Sequence, residues 1–77
     1  MGTRKVAVIT GAAQGIGKQT ATVLNGLDWS LVLVDLQPIE TSIYGNALSL
    51  VGDITDETFV QSAAMQTIDK FGRVDAL

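Results

Sequence analysis

Three glycines near the start of the chain have a spacing that suits contact with a phosphate group. Gly11, Gly15 and Gly17 follow an apolar run at residues 5–9 and precede a segment with helical periodicity. A pyrophosphate must come close to backbone N–H groups, and a Cβ atom in its path would push it away. The spacing matches neither the G-x-G-x-x-G dinucleotide pattern nor a P-loop, in which Ser or Thr would follow Lys18. A tight turn without a ligand is the alternative interpretation.

Two aspartates stand where later apolar runs end. Asp35 closes the run LVLVD, and Asp53 follows Gly52 after the run ALSLV. At the carboxyl end of a parallel strand, Asp35 can accept hydrogen bonds from an adenosine ribose, and it would repel a 2′-phosphate. No basic residue offsets it, since Leu36 follows it and Gln14 precedes the second glycine. These residues favour NAD over NADP, although Asp35 alone could be a solvated carboxylate and Asp53 alone could cap the following helix.

The elements that must position these residues alternate between strand and helix. Three apolar runs have the length of buried strands: residues 5–9, 31–35 and 47–51. A first helix is predicted over residues 15–27, and a second helix is predicted to begin at the N-cap Thr55 and to end at Gly72. Four residues mark the apolar face of that second helix, with Phe59 and Ala63 beside them: Val60, Ala64, Ile68 and Phe71.

A fourth apolar run, residues 74–77, begins another strand, and the chain stops inside it. This order of elements, joined by right-handed crossovers, is the front half of a doubly wound sheet. We therefore expect an α/β fold: a Rossmann-like doubly wound parallel sheet, truncated after the start of the fourth strand. Residues 1–77 would form the N-terminal NAD-binding part of a single domain, with the C-terminal catalytic part absent.

Composition excludes several classes of protein. The 77 residues are 47% hydrophobic, carry a net charge of −3 and include neither Cys nor His. Disulfides, the usual zinc ligands and histidine-dependent nucleophiles are therefore excluded, and the acidic residues near Asp53 lack the spacing of a calcium loop. Five Lys and Arg against eight Asp and Glu do not indicate a nucleic-acid partner. The apolar runs are too short for a membrane span or a signal sequence, so the expected location is the cytoplasm.

The sequence resembles the short-chain dehydrogenase/reductase family in three motifs that follow the family's order. Residues 10–17 (TGAAQGIG) are similar to its TGxxxGxG cofactor loop, residues 52–55 (GDIT) to its D-[VIL]-[ST] segment, and residues 71–77 (FGRVDAL) to the run into its fourth strand. The resemblance implies a loop around the pyrophosphate and strand ends that hold the adenosine. The implied cofactor-binding residues are Gly11, Gln14, Gly15, Ile16, Gly17, Asp35, Leu36, Asp53 and Ile54. The chain between Asp35 and Asp53 is short for the family, so the usual intervening helix must be short or partly unwound.

The family transfers hydride between a nicotinamide cofactor and an alcohol or carbonyl, and its Tyr-x-x-x-Lys pair, serine and asparagine lie beyond the fourth strand. Here the one tyrosine, Tyr44, has Leu48 four residues later, so no catalytic residue is assigned and the chain alone is not classed as an enzyme. The resemblance implies the NAD-binding portion of an oxidoreductase whose longer form binds a small substrate and forms a homo-oligomer. A stand-alone nucleotide-binding or interaction module is the alternative, and a gene remnant is a third hypothesis.

Overall fold

Three parallel strands form the centre of the structure, a computed structural model that describes residues 4–77. The strands are β1 (Val6–Thr10), β2 (Ser30–Asp35) and β3 (Ala47–Val51). They lie side by side in the order β1-β2-β3, with Val8 opposite Val32 and Val32 opposite Leu48. Their carboxyl ends therefore meet at one edge of the sheet. Residues 1–3, which the one-domain prediction includes, lie outside the described residues.

A fourth strand begins on the free side of β1. Ala76 forms a parallel bridge with Ala7, and its carbonyl accepts a hydrogen bond from the Val8 N–H at 2.9 Å. Asp75 holds this segment in place, because its N–H donates to the Val6 carbonyl and its carboxylate accepts from the Val6 N–H, each at 2.8 Å. β1 thus lies between β2 and the start of the fourth strand, and the Rossmann-like topology predicted from the sequence is confirmed.

Two helices cover opposite faces of this sheet: α1 (Gly15–Gly26) and α2 (Glu57–Phe71). Because side chains alternate along a strand, Leu33 of β2 packs in the cluster that contains Ala21 of α1. Its neighbour Val32 packs in a second cluster, which Phe59 and Ala63 of α2 contact. β2 is therefore buried on both faces, as its apolar sequence predicts.

The start of α2 differs from the sequence prediction. Thr55 is not the N-cap; Asp56 is, and its carboxylate accepts hydrogen bonds from two N–H groups of the first turn at 3.0 and 3.4 Å. Thr55 instead donates to the carboxylate of Asp53, so the helix begins one residue later. The other end agrees with the prediction, since Gly72 ends α2 with a φ of 79°.

The face of α2 that packs on the sheet is shifted relative to the predicted one. Phe59, Ala63 and Phe71 contact the core, whereas Val60 and Ile68 are 44% and 52% exposed. The periodicity located the helix correctly, but the centre of its buried face lies along Phe59 and Ala63, which the prediction placed beside the face. Neither helix in the described part of the chain is long and apolar enough to cross a membrane.

The crossover between β2 and β3, residues 36–46, is described throughout and contains turns but no helix. The short or unwound helix expected there is thus fully unwound. Tyr44 of this segment is buried instead: it is 8% exposed and lies in the same cluster as Ala21 of α1. Ile39 packs against that cluster. A hydrogen bond of 2.7 Å from the Gly45 N–H to the Asn25 side chain attaches this segment to α1.

We expect Tyr44→Ala to lower the free energy of unfolding by about 3 kcal/mol, because it removes an aromatic ring from the core. Tyr44→Phe keeps the ring and serves as the matched control, with an expected change of less than about 1 kcal/mol. Urea unfolding followed by circular dichroism measures both. Equal unfolding midpoints for the two variants would show that the ring does not support the fold.

Candidate functional site

The loop between β1 and α1 uses its three glycines for two different reasons. Gly11 and Gly15 have φ angles of 65° and 64°, in the left-handed region that favours glycine. Gly17 is required by space: a Cβ atom there would lie 2.8 Å from the carbonyl carbon of Gly11 and closer still to its oxygen. The first turn of α1 can therefore begin directly against the loop.

The first turn of α1 is suited to an anion, whereas that of α2 is not. Gln14 is the N-cap of α1, and among the described residues no side chain caps this helix and no acidic residue lies in its first turn. In α2, Asp56 caps the helix and Glu57 follows it. Because a helix N-terminus has unsatisfied N–H groups and a partial positive charge, α1 retains a site for a negatively charged group.

Asp35, at the end of β2, is joined to the glycine loop. Its Oδ2 accepts a hydrogen bond from the Ala13 N–H, and its Oδ1 accepts one from the Gln37 N–H, each at 3.1 Å. These N–H groups, that of Ala13 above all, hold the pKa of the Asp35 carboxyl below its usual range. The carboxylate is therefore ionised at neutral pH, and each oxygen can still accept a further hydrogen bond.

Asp53 stands beside Asp35 at the end of the neighbouring strand. The N–H and the hydroxyl of Thr55 donate to its Oδ1 at 2.8 and 2.7 Å. Both hydrogen bonds lower the pKa of the Asp53 carboxyl, and the bond from the Thr55 N–H has the larger effect. The Oδ2 atom of Asp53 accepts neither of these two hydrogen bonds. The Gly52 N–H donates to the Asp35 carbonyl at 3.0 Å and connects the two strand ends.

A cleft of about 330 Å³, here called the strand-end cleft, joins these groups. Its lining residues come from the ends of the three strands: Thr10, Gly11, Val34, Asp35, Leu36, Gly52, Asp53 and Ile54. The sequence predicted all of these except Thr10, Val34 and Gly52, each of which directly precedes a predicted residue. Their position directly before a predicted residue is the sequence signal by which these three residues could have been identified. Among the other predicted residues, Gly15 and Ile16 line a separate depression along α1, while Gln14 and Gly17 lie at the junction of loop and helix.

The chemistry of the strand-end cleft is that of hydrogen-bond acceptance next to an anion-binding helix end. Two ionised carboxylates can accept from hydroxyl or amino groups of a ligand, and the start of α1 can bind a phosphate. Residues 4–77 contain no group of three acidic, His or Cys side chains placed to hold a metal ion. The residues present therefore fit a ligand that combines a negatively charged group with hydrogen-bond donors.

Comparison with known proteins agrees with this geometry. The family described as "short chain dehydrogenase" matches residues 5–77. Short-chain dehydrogenase reductase 5 of Arabidopsis thaliana is 38% identical over 79 residues, which cover 95% of this chain and 30% of that protein. The chain therefore spans about a third of the length of this relative.

Solved structures show the same fold. A 3-ketoacyl-(acyl-carrier-protein) reductase from Brucella melitensis, complexed with NADH, superposes with a TM-score of 0.86 at 33% identity, over 95% of this chain and 32% of that one. A metagenomic short-chain oxidoreductase in complex with NADP also gives a TM-score of 0.86, at 28% identity, over 97% of this chain and 38% of that one. The family model, the relatives and the parallel sheet with its glycine loop agree: this chain belongs to the short-chain dehydrogenase/reductase family.

Proposed function

We propose that this chain is the NAD-binding portion of a short-chain dehydrogenase/reductase that transfers hydride between NAD and an alcohol or carbonyl substrate. The observation that carries the proposal is the strand-end cleft, in which two ionised aspartates lie next to the glycine loop. The open space beside Gly11 and Gly15, where a Cβ atom would meet nothing within 4 Å, and the uncapped start of α1 fit a pyrophosphate. The proposal treats residues 1–77 as one part of a single Rossmann-fold domain.

Each part of the dinucleotide has a proposed set of binding residues. The loop and the first turn of α1 bind the pyrophosphate through backbone N–H groups: Gly11, Gln14, Gly15, Ile16 and Gly17. Asp35 and Leu36 hold the adenosine ribose, with the Asp35 carboxylate accepting from its hydroxyls. Asp53 and Ile54 hold the adenine, with Asp53 Oδ2 accepting from the exocyclic amino group and Ile54 contributing its backbone.

Charge supports NAD over NADP. The pKa of Asp35 is lowered by its backbone hydrogen bonds, so a 2′-phosphate on the ribose would meet a full negative charge. Leu36 and Gln14, the residues on either side of the proposed ribose site, carry no positive charge to compensate. The two structural neighbours described above contain NADH in one case and NADP in the other, so the choice depends on the residues of each chain.

When bound, the cofactor would accept or donate the hydride at its nicotinamide ring, and the residues of this chain would hold and orient the cofactor. Tyr44 packs in the core cluster and is not among the residues that line the strand-end cleft, so it is not assigned a proton-transfer role. We further propose that the longer protein acts in the cytoplasm as a homo-oligomer and takes its small alcohol or carbonyl substrate with residues beyond this chain.

The adenine contact is tested with nicotinamide hypoxanthine dinucleotide, which carries an oxygen in place of the exocyclic amino group. We expect the chain to bind NAD about tenfold more tightly than this analogue, since the analogue cannot donate to the charged Asp53. Asp53→Ala should bind both ligands equally. Asp69→Ala removes the same charge in the last turn of α2 and should keep the preference.

Isothermal titration calorimetry measures all of these affinities. If the unaltered chain does not bind NAD, the proposed function is wrong. If it binds both ligands equally well, only the assignment of Asp53 to the adenine is wrong.

A further inference from the structure

Gly52 and Phe59 meet in a space that only one side chain can fill. A Cβ atom on Gly52 would lie 2.7 Å from Cγ of the Phe59 ring and closer still to two other ring atoms. Gly52 is not among the glycines with positive φ, so its backbone conformation would accept other residues. The ring of Phe59, and not the backbone, therefore requires glycine at this position.

The ring of Phe59 is held from two directions. Its backbone is fixed in the first turn of α2, where the Phe59 N–H donates to Asp56 Oδ1 at 3.4 Å. The Asp56 N–H donates in turn to the Asp53 carbonyl at 2.9 Å. The ring itself packs against a buried apolar cluster: Val6, Val32, Val34 and Leu50. On this side the ring is in close contact with the cluster, so it cannot move toward the sheet without disturbing these side chains.

Phe59 also lies behind one wall of the strand-end cleft. It lines a groove of about 530 Å³ along α2. Thr10, Val34 and Ile54 line both this groove and the strand-end cleft, and so they separate the two. Gly52 precedes the turn that carries Asp53, Phe59 follows it, and the two residues are in close contact.

We propose that Phe59 is a positioning residue for the nucleotide: its ring fills the space beside Gly52 and thereby sets the position of Asp53 and Ile54 relative to Asp35. This inference rests on the proposed function, which assigns the nucleotide to the strand-end cleft. A side chain at Gly52 would push the turn away from the ring. Since the Gly52 N–H binds the Asp35 carbonyl at 3.0 Å, the displacement would also separate the two strand ends.

The test compares Gly52→Ala, Phe59→Ala and the double variant in the full chain. We expect Gly52→Ala to weaken NAD binding about tenfold while affecting the hypoxanthine analogue much less, because the displaced turn takes Asp53 out of reach of the adenine amino group. The double variant should regain most of the preference for NAD, since removal of the ring makes room for the new methyl group. Gly26→Ala is the matched control, because a Cβ atom there meets nothing within 4 Å.

Amide hydrogen exchange provides a second measurement that needs no ligand. The N–H groups of Thr55 and Asp56, which bind Asp53, should exchange faster in Gly52→Ala and return toward the original rate in the double variant. Unchanged exchange in Gly52→Ala, or no recovery in the double variant, would overturn the positioning role even if NAD binds. Equal losses of affinity for both dinucleotides would also overturn it, because they would indicate general damage. If the unaltered chain binds no NAD, the proposed function fails, and the exchange rates still decide whether Phe59 positions the turn.

Discussion

Replacing Gly17 with alanine should weaken dinucleotide binding at least about 100-fold and lower the free energy of unfolding by about 2 kcal/mol. In a helix this substitution would ordinarily stabilise by about 1 kcal/mol, because alanine has the higher helix propensity. Here the new Cβ atom would overlap the backbone of Gly11, which cannot rotate away as a side chain can. The loop must then move off the helix, and the N–H groups that would bind a pyrophosphate lose their common direction.

Calorimetric titration with NAD and urea unfolding together test this expectation. Gly26→Ala is again the control: it makes the same chemical change at the other end of α1, where the Cβ atom has open space. That variant should bind NAD as the unaltered chain does and should be no less stable. NAD binding by Gly17→Ala at the original affinity would show that the glycine loop is not the pyrophosphate site.

Asp35 should discriminate between the two nicotinamide cofactors. We expect the chain to bind NAD on the order of 100-fold more tightly than NADP, and Asp35→Ala to reduce that difference below about tenfold. The reason is that the Asp35 carboxylate, whose pKa the N–H groups of Ala13 and Gln37 lower further, is negatively charged at neutral pH, so its removal ends the repulsion of a 2′-phosphate. The same substitution removes hydrogen bonds to the ribose, so the affinity for NAD should fall while that for NADP rises.

Two further variants separate charge from hydrogen bonding. Asp35→Asn keeps an oxygen that can accept from Ala13 but has no charge, and it should gain affinity for NADP as Asp35→Ala does. Asp69→Ala, in the exposed last turn of α2, should leave both affinities unchanged. Equal binding of NAD and NADP by the unaltered chain would contradict the proposed cofactor.

Much of the fold could be predicted because local patterns reflect burial. The strand at residues 47–51 has the predicted limits, and the first strand is shifted by one residue. Predictions were wrong where local signals compete. Thr55 and Asp56 are both good N-cap residues, and the carboxylate of Asp53 binds Thr55 and leaves the cap to Asp56.

Burial of particular side chains was less predictable than the elements that carry them. Tyr44 is in a segment with loop composition, yet it is buried because a helix-free crossover leaves part of the sheet for it to cover. Val60 and Ile68 have helical spacing but are about half exposed, because Phe59 and Ala63 occupy the side of α2 that faces the sheet.

By itself, the sequence determined which residue types stand at the strand ends and in the glycine loop, because turns and strand ends depend on local backbone requirements. Only the tertiary structure decided which of them act together. The bond from Ala13 to Asp35 joins residues 22 positions apart, and the strand-end cleft exists because the parallel register brings the ends of β1, β2 and β3 to one edge. The dependence of Gly52 on Phe59 likewise follows from how α2 packs on the sheet, since it is a matter of shared space and not of spacing along the chain.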